Sequence, residues 1–228
     1  MSKTVLVTGS NRGIGLELCR QLKMGGKHVI ATCRQASDEL ASLGVEIIEN
    51  VEVSDPESLS SLSFELGERQ VDWLINNAGI AYGLGLNDID IDIDIDAIDM
   101  FKKLFEVNSL GPLLTSHSLL GHLGEGSKIG ILTSRMGSIA DNDSGGSYAY
   151  RMSKAAANAA GRSLAIDLKT SGIAVGILHP GYVRTDMTNH KGIMDTDESV
   201  RGLILRMEEL NLTNTGSFWH TNGDLLAW

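Results

Sequence analysis

Val5-Leu6-Val7-Thr8-Gly9-Ser10-Asn11-Arg12-Gly13-Ile14-Gly15 is the stretch that decides the fold. Three consecutive apolar residues read as a buried strand, Thr8-Gly9 ends it, and Ile14, Leu18 and Leu22 then fall on one helical face. Strand, glycine turn and helix in that order present free backbone N–H groups at a helix N-terminus, where a phosphate can approach. Gly9 permits a sharp turn, Gly13 leaves room for a pyrophosphate and Gly15 lets helix and strand pack closely. Ser10, Asn11, Arg12 and Ile14 complete this candidate cofactor-binding turn. Its G-x-x-x-G-x-G spacing departs from the commoner G-x-G-x-x-G, so the strand-turn-helix context carries the reading.

Working outward, further apolar runs occur at 28–32, 45–48, 71–75, 128–132 and 173–178, separated mostly by helix-length segments. Alternating strands and helices demand crossover connections, and the runs are continuous rather than alternating, as when helices cover both sheet faces. The expected fold is α/β, a single doubly wound, mostly parallel sheet. At 228 residues, with 42% apolar and 21% charged side chains, one such domain is natural.

The net charge of −10 and the lack of a basic cluster exclude nucleic acid as an expected partner. Cys19 and Cys33 form neither a C-x-x-C pair nor a disulfide framework and read as two buried thiols. The N-terminus lacks a long apolar leader and no apolar stretch reaches membrane-spanning length, so a cytoplasmic protein with no membrane partner is expected. Residues 88–96 alternate Asp and Ile strictly, a strand-like period. Ile98, Phe101, Leu104 and Phe105 follow at helical spacing, so the segment reads as an acidic loop leading into a helix over 97–107. It is not a calcium loop: the sixth and twelfth positions from Asp88 hold Ile93 and Asp99, where glycine and glutamate are required. No metal is expected.

The end of the second strand of a dinucleotide fold reads the adenosine ribose, through an acidic residue for a free 2′-hydroxyl or arginine for a 2′-phosphate. Arg34 stands there and Arg12 can approach from the turn, which favours NADP(H) over NAD(H). Tyr150 and Lys154 are four apart at the head of an alanine-rich helix and share a face, where the ammonium would favour phenolate and lower the phenol pKa. Such a phenol can act as a general acid or base toward a carbonyl or alcohol. Ser134 ends the 128–132 run and Asn76-Asn77-Ala78-Gly79 ends the 71–75 run, so a parallel sheet brings them to the carboxyl edge where ligands bind.

With Asn108, and with Pro180-Gly181 followed by Val183 and Thr185, these pieces make the chain resemble the classical short-chain dehydrogenase/reductase family over nearly its whole length. The runs 134–139 and 145–154, with Asn222-Gly223 and Trp228, resemble its C-factor-like and sniffer-like carbonyl reductase subgroup. The resemblance implies a single Rossmann domain over 1–228 and a carbonyl reductase activity with NADP(H). It casts Tyr150 as general acid/base, Lys154 as pKa modulator and ribose ligand, Ser134 as carbonyl hydrogen-bond donor and Asn108 as holder of a relay water. Asn77, Ala78 and Gly79 would flank the cofactor. Pro180, Gly181 and Val183 would shape the loop beneath the nicotinamide, with Thr185 on its carboxamide. Glu52, followed by Val53, stands where many members place an adenine-binding aspartate. Helices carrying Asn108 and Tyr150 would join a homodimer or homotetramer.

His179 is left without a catalytic role, since Tyr150 fills it. Residues 186–198, with Gly192 as a hinge, are expected to form a short substrate lid. Met136, Tyr148, Tyr182 and Met187 are candidate lining residues, for each of which core or surface placement is equally open. A regulatory NADP(H)-binding protein, acting through a partner, and a dehydratase or epimerase are the alternative readings.

Overall fold

The computed structural model describes residues 2–83, 85 and 95–228. The described strands are β1 (Thr4–Thr8), β2 (His28–Thr32), β3 (Glu46–Ile48), β4 (Trp73–Asn76), β5 (Lys128–Leu132), β6 (Ala174–His179) and β7 (Phe218–His220). They form one parallel sheet in the order β3-β2-β1-β4-β5-β6-β7. Strand order reverses between β1 and β4, so a crevice opens beyond the carboxyl ends of these two strands, where open α/β sheets bind ligands.

All six expected strands are present, within one or two residues of their sequence boundaries. Alternation along them sorts the core. Val5 and Val7 face one layer with Leu18, Leu22, Leu203 and Met207, from helices α1 (Gly13–Met24) and α7 (Thr196–Glu209). Leu6 faces the other, with Leu59, Leu62, Leu74, Ile129 and Ile131, beneath α3 (Pro56–Leu66) and the end of α6 (Tyr148–Asp167). Burying each such aliphatic side chain contributes about 1.5–3 kcal/mol, so both faces must stay covered. The short helix α2 (Asp38–Ser42) is capped by Ser37 Oγ, which accepts from Leu40 N at 3.2 Å.

The acidic segment 88–94 lies outside the described residues. The expected helix is present as α4 (Ile95–Phe105), but it does not continue regularly through Val107. Glu106–Leu110 form a wider π-type turn leading into α5 (Gly111–Ser118), and Gly111 N reaches back five residues to Glu106 O. Pro112 has no N–H to return to residue 108, which removes one α-type bond at this place and favours the wider turn. Asn108 therefore sits on a bulge, buried completely.

Candidate active site

The glycine turn is fastened to the loop after β4. Thr8 Oγ1 accepts from the amides of Asn77 and Ala78, each at 3.1 Å, and Asn77 Nδ2 donates to Thr8 O at 2.9 Å and Gly9 O at 3.0 Å. Gly9 has φ +65°, and a Cβ there would stand 2.8 Å from the Ala78 Cα, so only glycine fits. Ser10 is buried, its hydroxyl donating to Val7 O at 2.7 Å, while Ser37 Oγ donates to Asn11 O at 2.7 Å. At the start of α1 no side chain caps the first turn and no carboxylate lies in it. The amides at Gly13, Ile14 and Gly15 thus face a space opposite Thr185, whose Cγ2 would be 3.5 Å from a Cβ on Gly13. This donor set fits a pyrophosphate.

Both arginines read from the sequence are exposed and follow the carboxyl ends of β1 and β2, each with an acidic neighbour. Arg12 Nη1 lies 3.2 Å from Asp186 Oδ2, and Arg34 Nη1 lies 3.7 Å from Glu52 Oε2. Glu52 also accepts from Ser54 Oγ at 3.0 Å, and Val53 is buried against Gly111. Cys19 and Cys33 are free, buried thiols; burial pushes Cys19 up to about 11, which makes it a poor nucleophile at neutral pH.

Tyr150, Lys154 and Ser134 meet on the rim where β5 runs toward α6. Thr133 Oγ1 donates to Asn158 Oδ1 at 2.7 Å, tying the strand end to the helix. A tight turn at Arg135–Gly137, capped by Ser134 Oγ accepting from Met136 N at 3.1 Å, presses on α6; a Cβ at Gly137 would stand 2.7 Å from Lys154 C. The helix itself starts at Ser147, held at φ +50° behind Gly145 and Gly146. Lys154 is buried, its Nζ donating to Leu132 O at 3.1 Å and lying 5.8 Å from the Tyr150 ring centroid. Burial lowers its pKa to about 8.

One expectation does not hold for the chain by itself. The Tyr150 phenol is pushed up, not down, because burial penalises the phenolate, while the Ser134 hydroxyl beside it pulls the other way. The ammonium's hydrogen bond goes to a main-chain carbonyl and not to the phenol, so the i,i+4 spacing supplies a shared face without the full electrostatic effect.

Asn108 Nδ2 donates to Ile80 O at 2.9 Å and Ser153 Oγ at 3.1 Å, and its Oδ1 accepts from Ile80 N at 2.9 Å. Ser153 in turn donates to Tyr150 O at 2.9 Å. Asn108 thus links the β4 loop to the helix of Tyr150, and a Cβ on Gly79 would lie 3.2 Å from its Oδ1 and 3.6 Å from Lys154 Nζ.

Across the cleft, Pro180 O accepts from Ser199 Oγ at 2.6 Å, Gly181 has φ +89°, and Val183 is buried and bridged to Met194. Thr185 opens a short turn, its N donating to Thr188 Oγ1 at 3.2 Å. Residues 186–195 fold back on this strand-like segment, and 196–198 already belong to α7. Gly192 packs on the Val183–Arg184 backbone, so it is a close-contact position and not the expected free hinge. Tyr148, Tyr182 and Met187 are exposed and Met136 is half-buried.

In the sequence, Thr8 and Ser153 stood inside longer motifs without a role of their own, and β7 was not expected. Thr8 and Ser153 organise the loops through hydroxyls that have no spacing signature. β7 was missed because three residues leave no period to read; it sets His220 against His179, ring centroids 5.0 Å apart. Behind this wall, Ala140 N donates to Trp228 O at 2.9 Å, and the Trp228 ring stacks on Phe218 at 5.4 Å.

A parallel sheet of this order with a glycine turn at its switch point and Ser, Tyr and Lys on the neighbouring rim defines a nucleotide-dependent oxidoreductase fold. Residues 3–195 match the short chain dehydrogenase family, and the chain belongs to it. It is 37% identical over 231 residues, 99% of each chain, to the 1-hydroxy-2-glutathionyl-2-methyl-3-butene dehydrogenase of Rhodococcus sp. strain AD45. It is 41% identical over 162 residues, 69% of this chain and 93% of the relative, to the C-signal of Myxococcus xanthus. Among solved structures, an NADPH-bound carbonyl reductase from chicken fatty liver superimposes with a TM-score of 0.87 at 30% identity, covering 100% of this chain and 99% of that one. The chain is an oxidoreductase of this family, related to the C-factor-like and sniffer-like branch. Among the described residues no helix is long and apolar enough to cross a membrane.

Proposed function

We propose that the chain is an NADP(H)-dependent carbonyl reductase in which Tyr150 is the general acid/base. The observation that carries this reading is the convergence of Ser134, Tyr150 and Lys154 on one rim beside an uncapped glycine turn. A nicotinamide cofactor, when bound, supplies the hydride. Its pyrophosphate would lie on the amides of 13–15, with Arg12 and Arg34 on a 2′-phosphate, Glu52 and Val53 near the adenine, and Asn77, Ala78 and Gly79 flanking it. Pro180, Gly181, Val183 and Thr185 would border the nicotinamide. The NADPH-bound relative from chicken supports the cofactor choice.

In reduction, Ser134 and Tyr150 donate hydrogen bonds to the carbonyl oxygen, and Tyr150 gives up its proton as charge develops there. A phenol pushed up by burial stays protonated at neutral pH and is a competent acid before reaction. Lys154, near pKa 8, can return a proton on the same pH scale. Both Asn108 side-chain N–H groups are engaged and its Oδ1 already accepts from Ile80 N, so a relay water would take the second lone pair of Oδ1 or the main-chain carbonyl of Asn108. Residues 186–195 would act as the lid. Exposed Met152 and Ile166 on α6 are consistent with a homodimer or homotetramer, and we take the protein to be cytoplasmic.

Replacing Tyr150→Phe should abolish NADPH-dependent reduction across a carbonyl panel while NADPH still quenches protein fluorescence with native affinity. Persisting turnover would require another acid. The similarity to C-signal supports a second reading, a cofactor-binding signalling protein; tight NADPH binding with no turnover on any carbonyl of the panel would favour it.

A further inference from the structure

Arg135 follows Ser134 directly, and the turn that carries it is pinned to α6 at Lys154 by the close approach at Gly137. The guanidinium uses only Nε internally, on Asp141 Oδ2 at 3.1 Å. Asp141 is itself placed by its N–H donating to Ser138 Oγ at 3.1 Å. The two terminal nitrogens of Arg135 have no acceptor among the described residues, and the side chain is half exposed. The edge between the two terminal nitrogens remains unused, and such a planar fork is the geometry that carboxylates recognise.

The wall it faces is defined by the sheet. Thr133 N donates to Leu178 O at 2.8 Å, and His179 is in register with His220, so the ends of β5, β6 and β7 lie side by side at the substrate edge. Arg135 stands on the turn that directly follows Ser134 at the end of β5, so its exposed guanidinium is borne at these strand ends. Burial first, and then the charges around them, Arg135 among them, lower the pKa of both histidines. At neutral pH both rings are uncharged. The Lys154 ammonium is turned to Leu132 O. Asp224 is turned to Asn222, its Oδ2 accepting from Nδ2 at 2.8 Å. Arg135 is therefore the exposed cation of this wall, whereas Lys154 is buried beside Tyr150. His179 Nδ1, buried in a ring only 9% exposed, has no partner among the described residues and adds an unspent polar group to the same wall.

We propose that Arg135 anchors a carboxylate on the substrate, so that the preferred substrates are carbonyl compounds bearing an anionic group at the end remote from the reacting carbon. This rests on the carbonyl reductase reading, and the carboxylate takes no part in bond making or breaking. It fixes orientation: one end of the substrate is held at Arg135 while the carbonyl oxygen reaches the adjacent Ser134 and Tyr150.

The test compares benzaldehyde with 4-carboxybenzaldehyde, which differ by the anionic group alone. With NADPH, the native protein should favour the carboxylate by roughly tenfold or more in kcat/KM, the scale of one charge-assisted fork. Arg135→Met should remove that preference through KM, leaving benzaldehyde within about twofold; Arg135→Lys should keep part of it, and Asp141→Asn, which removes the competing acid, should enlarge it. Equal losses on both aldehydes, or none, would overturn the proposal. Saturation-transfer NMR of both aldehydes with native and Arg135→Met protein separates the two claims. Selective binding without reduction sinks the reductase reading and keeps the anchor; reduction with unselective binding does the reverse. Unchanged NADPH affinity of each variant checks its fold.

Discussion

Acid should destabilise this protein through His179, and the size of the effect follows from its burial. The ring is buried with an unpartnered Nδ1, and burial, then His220, Arg135 and Lys154, lower its pKa from 6.5 to about 3. In the unfolded chain the imidazole protonates near 6.5, so between pH 6.5 and 3 the unfolded state binds more protons than the native state. Stability is then complete above pH 6.5 and falls as pH drops, by about 1.4 kcal/mol per unit. Going from pH 7 to pH 5 should cost about 2 kcal/mol through this group. Urea unfolding of native protein and His179→Gln at pH 7, 6 and 5 isolates the contribution, because other titrating groups are common to both. The difference between the two free energies should shrink or change sign by about 2 kcal/mol across that range. Parallel pH dependences would show that His179 takes up its proton in the folded state, and would refute the claim that the wall beside Ser134 stays neutral.

Two other outcomes are expected. Lys154→Met should leave stability at pH 7 unchanged or raise it, since relief from the depressed pKa is worth about 3 kcal/mol against about 1 kcal/mol for the lost bond to Leu132 O. In the native protein, stability should rise between pH 8 and 10.5, as the unfolded chain alone holds the proton, and the variant should lose this rise in thermal melts. Asp186→Asn frees Arg12 from an exposed pair, so NADPH titrated by fluorescence should bind up to about fivefold tighter, with little change for NADH; equal gains for both would place Arg12 away from the 2′-phosphate.

The strand-turn-helix at 4–24 was legible because glycine and apolar spacing are local properties of the chain. The same holds for the six longer strands and for the Tyr150–Lys154 face. What escaped was set by tertiary contacts. β7 exists because Phe218 and Trp219 are buried beside β6, which no three-residue pattern announces. The π-type turn follows from Pro112 acting on a residue four positions earlier, a backbone effect that apolar periodicity ignores. The direction of the Tyr150 shift was misjudged because i,i+4 spacing reports proximity and not desolvation, and desolvation is the stronger influence here. Arg135 drew no attention as a single exposed arginine; its meaning comes from its place on the turn that follows Ser134, with Nε held by Asp141.

The bond from Ala140 to Trp228 has a temporal consequence during biosynthesis. The loop bearing Ser134 and Arg135 leaves the ribosome some 90 residues ahead of the tryptophan that backs it, and β7, which completes the histidine wall, emerges only about ten residues before that tryptophan. The Val5 and Val7 face of β1 is covered by Leu203 and Met207 of α7, so the sheet cannot close around the glycine turn until that late helix has emerged. The loop bearing Ser134 and Arg135 therefore waits, in synthesis, for the last residues of the chain before it has its backing.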